Sequence, residues 1–139
     1  MKLTSKYLYY FAISFIVLTL LFRFGLSTFL EQEKFNLVLW IAISYGILLF
    51  IAGWIFGRAH GVNTLQFDIG ITFHITGFLA WSLTSLIWFW LGLNSSFESI
   101  QSVYQAMAIW GVFLAIHFIV FLYLRKSSIK GIHRSDIFD

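Results

Sequence analysis

FNLVLWIAISYGILLFIAGWIF, residues 35–56, runs without a single charged side chain. At 1.5 Å per residue, about 20 helical residues cover the roughly 30 Å hydrocarbon core of a bilayer, so this run is long enough to cross. Lipid offers no partner to a bare backbone N–H or C=O, and a helix satisfies all of them within one segment. The rival reading is a strand of a membrane barrel, which alternates apolar and polar residues and ends after about 9–11 positions. Residues 35–56 do neither, which makes them a transmembrane helix.

The same reading extends outward. Similar runs occupy residues 7–24, interrupted only by Arg23, then 69–93 and 103–124. A soluble domain carries about 25% charged residues; this chain has 11%, with 60% hydrophobic residues and a mean hydropathy of +0.86. The expected fold class is all-α, an integral membrane antiparallel bundle of four transmembrane helices forming one domain over residues 1–139. The short connections require each helix to reverse its predecessor. Proline is absent, so the commonest cause of a kink is missing and straight helices are expected. No linker, low-complexity tract or convincing internal repeat divides the chain.

Charge sets the expected direction. With the amino terminus inside, Lys2, Lys6, Arg58, Arg125, Lys126, Lys130 and Arg134 are cytoplasmic and only Arg23 and Lys34 are external, the bias of the positive-inside rule. Both termini are therefore expected in the cytoplasm, with residues 125–139 as a short basic tail against anionic lipid. Tyr7, Tyr9, Tyr10, Trp54 and Tyr123 fall at the inner interface, and Trp40, Trp88, Trp90 and Tyr104 toward the outer one. The first span imitates a cleavable signal, with Gly25-Leu26-Ser27 after its apolar core. Its length and Arg23-Phe24 ahead of that point favour an uncleaved helix.

Several function classes are excluded. The chain lacks cysteine, which removes disulfide, thiolate and iron–sulfur chemistry. A net charge of +3, confined mostly to span ends, is not the basic stripe of a nucleic-acid binder. No His-Glu-x-x-His, Gly-x-Ser-x-Gly or phosphate-loop motif occurs, and no catalytic residue is assigned. Asp68 and Glu98 fall on opposite sides of the membrane and cannot share acid–base work.

Ionisable residues inside a membrane are functional candidates by default. Arg23, near the outer end of the first span, is expected to snorkel to the headgroups as an anchor. His74 and His117 stand at matching distances from the inner ends of the third and fourth spans, roughly 10 Å deep on neighbouring helices. They are the candidate cofactor-binding pair, for haem b or a proton relay. The ordinary use of such a histidine is a hydrogen bond between helices, worth about 0.6 kcal/mol. His60, Asp68 and His133 are expected on the same inner side. On the third span Gly70, His74, Gly77, Trp81, Thr84 and Trp88 follow one stripe, with small residues on both sides of His74 where a flat cofactor would approach. On the fourth, His117 shares a stripe with Trp110, Phe113, Leu114 and Phe121.

Small residues at a spacing of four recur: Ala42 with Gly46, Gly53 with Gly57, and Gly111 with Ala115. In lipid such pairs let helix backbones approach closely, so these six, with Gly70 and Gly77, are the expected helix-packing positions. In size and hydropathy the chain resembles the small four-helix membrane proteins of bacteria, a likeness that transfers no residues. It implies a multi-pass protein of the cell membrane, the inner membrane in a bacterium. The functional expectation is a non-enzymatic component, a homo-oligomer or an accessory subunit of a larger membrane assembly, with lipid and membrane subunits as partners. The alternatives are a haem-binding or proton-coupled electron-transfer subunit using His74 and His117, or a small oligomeric channel or transporter.

Overall fold

A computed structural model describes the backbone of residues 2–60 and 66–130 and the side chains of residues 6–58 and 70–123. The described residues form four α-helices and no strand: α1 (Lys2–Glu31), α2 (Phe35–His60), α3 (Gln66–Trp90) and α4 (Ile100–Lys130). All four are long and apolar enough to cross a membrane.

Two helix ends have a clear local cause. At the end of α3, Leu93 N donates to Trp88 O at 3.2 Å and Gly92 N to Phe89 O at 3.0 Å, while Gly92 takes a φ of +67°. This paired closure needs a left-handed residue, which glycine supplies without strain, so α3 stops at Trp90, short of the predicted 93. At the end of α1 the same pattern joins Lys34 N to Phe29 O and Glu33 N to Leu30 O, both at 2.9 Å, with Glu33 itself at a φ of 57°. Thus α1 continues beyond its predicted end at 24 and carries Arg23 well inside the helix.

Packing follows a simple rule on α1. Its buried residues are Phe11, Phe15, Thr19, Arg23 and Ser27, each four positions beyond the last, which is one ridge of a helix surface. The first two are aromatic and the last three polar, so one ridge meets two kinds of environment. The Phe11 ring lies 4.6 Å from Phe73 and 6.3 Å from Phe56. Further along, the Thr19 and Tyr45 hydroxyls pair at 2.8 Å, and Gly25 meets Ile41.

Helix α1 packs on both α2 and α3, and α4 rests on α3, whereas among the described residues α2 and α4 do not meet. Helices α2 and α3 also touch, over a smaller contact, so α1, α2 and α3 meet around one another with α4 against α3. No described residue of α2 is buried, and α4 buries only Val103 and Phe121. The outward surfaces, including Leu39, Trp40, Phe50 and Ile119, are apolar. In water so broad an apolar surface would drive association; in hydrocarbon it is the natural exterior of a helix.

Candidate functional site

The densest polar chemistry lies where α1, α3 and the 91–99 loop converge. Arg23, the lone charge of the first apolar run, is 5% exposed. Its Nη1 donates to Glu98 Oε1 at 3.3 Å and its Nε to Ser85 Oγ at 3.2 Å. Both side chains of the ion pair are almost fully enclosed. Glu98 Oε2 accepts from Ser27 Oγ at 2.7 Å and from Ser95 N at 3.0 Å, and the indole N–H of Trp88 donates to Ser27 Oγ at 3.1 Å. The Arg23 guanidinium also lies 5.7 Å from the Trp81 ring centre and 5.8 Å from that of Phe89, within range of a cation–π attraction.

This replaces the expected anchor with a clamp. Arg23 does not snorkel; Glu98 comes to it. A buried charge is tolerated when it is paired and hydrogen-bonded, and here each partner has a further donor or acceptor. The clamp holds the loop between α3 and α4 against α1, helped by Glu31 Oε2, which accepts from Ser96 N at 2.9 Å. Ser82 Oγ is buried without a hydrogen-bond partner. The signal available beforehand was that Arg23 and Glu98, opposite in sign, fall at the same expected end of the molecule.

The two histidines meet. The His74 and His117 ring centres are 5.0 Å apart with planes inclined by 56°, and a Cβ built on Gly70 would stand 4.0 Å from His117 Nε2. A metal-bound imidazole nitrogen lies about 2.0–2.1 Å from its metal, so two rings opposed across one iron have centres roughly 6 Å apart. At the observed separation the two rings touch directly, and a haem between them would require them to move apart. No third His, Asp or Glu joins them as a metal-binding group among the described residues. Adjacent imidazoles of this kind can instead pass a proton between nitrogens. The side chains of His60 and Asp68, and the whole of His133, lie outside the described residues.

The expected helix-packing residues divide into three kinds. A Cβ on Gly77 would press within 3.0 Å of Phe15 Cε2, so α1 and α3 approach closely there. Gly53 and Gly57 have nothing within 4 Å of such a Cβ, because they border a cavity of about 500 Å³ that Gly70, His74 and Gly77 border from α3. Gly46 and Gly111 also have free space, and Ala42, Gly46 and Ala115 are exposed; these four lie outside that cavity.

No family model matches the chain, and no curated protein or solved structure is significantly similar to it.

Proposed function

We propose that this protein is a non-enzymatic, multi-pass component of the cell membrane that works as a homo-oligomer or as an accessory subunit of a larger membrane assembly, with both termini cytoplasmic. The observation that carries the reading is the exposure of Ala42 and Gly46 on α2 and of Ala115 on α4, beside a half-buried Gly111, with free space over both glycines. Close helix association in lipid is favoured by small residues that admit another backbone, and α2 and α4 leave these positions for an outside helix.

An antiparallel course is supported by the order of the pairs. Along α1, Phe11, Thr19 and Gly25 meet Phe56, Tyr45 and Ile41 of α2 in descending order. Phe11, Arg23 and Ser27 meet Phe73, Ser85 and Trp88 of α3 in ascending order. The cytoplasmic assignment of one end rests on the asymmetry of Lys and Arg. It agrees with Lys6 over Tyr10 at 5.8 Å and Arg58 over Trp54 at 5.4 Å, cations beside aromatics at the same end. Tags at the two termini are expected to report the cytoplasm together.

Gly46→Leu and Gly111→Leu are expected to shift the mildly extracted protein to a smaller complex on a native gel, without altering helix content by circular dichroism. An unchanged complex in both variants would remove the interface from these faces.

A second reading, a proton-coupled role for His74 and His117, is favoured by the contact of their rings. Under it, the purified protein shows no Soret band, and proton entry into liposomes containing it falls at least about tenfold in His74→Ala. Equal flux in the variant, or in empty liposomes, would end this reading.

A further inference from the structure

The cavity between α2 and α3 has features that packing does not explain. Two helices that both carry glycines at a facing level ordinarily close on one another, yet here a Cβ at Gly53 or Gly57 would meet nothing within 4 Å. Instead the space is kept open at about 500 Å³, within the roughly 300–1,000 Å³ of small-molecule sites. Phe11 and Phe15 of α1 form one wall, and Phe50 and Trp54 of α2 another. The aromatic core behind them, with Phe11 and Phe15 each 5% exposed, leaves this wall little freedom to collapse inward. On the other side, Phe50 and Trp54 are 69% and 56% exposed, and of the described residues of α4 only Trp110 borders the cavity, so it opens sideways.

The polar groups in this wall are few. His74 borders the cavity between Gly70 and Gly77, its ring in contact with that of His117. The glycines one turn before and about one turn after it place no side chain beside the imidazole, whose bulky neighbour from α3 in the lining is Phe73. Trp54 and Trp110 are also among the lining residues.

From this geometry we propose that the cavity binds a flat, membrane-dissolved carbonyl compound of the quinone class, which enters sideways from the bilayer, lies between the glycines of α2 and α3, and accepts a hydrogen bond from His74. Planarity fits a slot flanked by glycine on two helices and walled by aromatic faces, which favour offset or edge contacts with a further ring. A carbonyl fits because the polar side chains of the lining, His74, Trp54 and Trp110, each carry an N–H able to donate, and an indole has no acceptor of its own. A saturated lipid chain would use neither feature. The site is separate from the outward faces of Gly46 and Gly111, so it stands or falls independently of the assembly reading.

The probe is 2-methyl-1,4-naphthoquinone, titrated into the full-length protein in phosphatidylcholine nanodiscs, with quenching of tryptophan fluorescence as the readout. Saturable quenching near one equivalent is expected for the natural sequence and for Leu83→Val, which lies away from the cavity. Gly53→Leu fills the slot and is expected to abolish saturation; Gly57→Leu serves as a second filling variant, and only those that keep native helix content and elution volume are read. His74→Phe retains the wall but not the donor, and is expected to weaken binding about three- to tenfold. 2-Methylnaphthalene, which lacks both carbonyls, is expected to bind more weakly and to ignore His74→Phe. Equal binding of the two probes, with no effect of His74→Phe, would overturn the carbonyl assignment. Failure of the natural sequence to saturate, or full recovery of tryptophan fluorescence on adding equimolar oleate to the quinone-loaded protein, would show a cleft occupied by lipid tails and overturn the proposal altogether.

Discussion

Glu98→Ala is expected to destabilise the protein by about 3–5 kcal/mol, the usual cost of deleting one member of a buried ion pair. The reason lies in what remains. Arg23 is 5% exposed, and without Glu98 its cation keeps, among the described residues, only Ser85 Oγ as a hydrogen-bond acceptor. Ser27 Oγ and Ser95 N lose their acceptor in the same stroke. A melting temperature lower by on the order of 10 °C should be seen in detergent by near-ultraviolet circular dichroism. The double change Arg23→Met with Glu98→Leu is expected to recover most of that loss, since replacing a buried pair by apolar groups of similar size is often close to neutral. Recovery should stop short of complete because Ser27 and Ser95 remain without their partner. If Glu98→Ala alone melted within a degree or two of the natural protein, the clamp would not be holding the loop.

The second large effect separates glycines that look alike. Gly77→Leu is expected to cost about 1–3 kcal/mol, the range for forcing extra side-chain volume into a packed core. A Cβ at this position lies 3.0 Å from Phe15 Cε2 and 3.4 Å from Cζ. Phe15 is held edge-on to Phe11 at 5.6 Å, and Phe11 is in turn against Phe73 and Phe56, so the Phe15 ring gives way only toward the cavity that it and Gly77 border, at the expense of its contact with Phe11. Gly53→Leu, in contrast, enters free space, and a change within about 0.5 kcal/mol is expected, as for surface substitutions away from special features. Thermal melts of the two variants side by side provide the check. Equal destabilisation would mean that α2 and α3 close on one another at Gly53, and that the cavity is not maintained.

Much of this architecture is legible in the residues themselves. The four apolar helices follow directly from residues 35–56 and their three counterparts, since length and lack of charge decide the matter through the backbone alone. Depth was equally accessible: counting residues from the helix ends placed His74 and His117 at one level, and their rings are in contact. What counting along a helix does not provide is the direction of a side chain around it. Arg23 near a helix end looks like an anchor if it points outward and like half of an ion pair if it points inward, and the two differ only in azimuth. The steps of four from Phe11 through Thr19 and Arg23 to Ser27 contained that azimuth, because polar residues aligned on an otherwise apolar helix mark a shared inward face. The glycines pose a similar difficulty. Spacing identifies a face on which backbones can approach, whereas Gly77 against Phe15 and Gly53 beside a cavity differ in what stands opposite, which is a property of the partner helix.

The ion pair also has a consequence for the making of the chain. Arg23 and Glu98 are separated by 75 residues, and at roughly 5–20 residues per second a ribosome needs about 4–15 s to pass from one codon to the other. Throughout that interval the nascent first helix holds a cation whose eventual counter-ion has yet to be translated. The ion pair can therefore close only once the loop after α3 has been made.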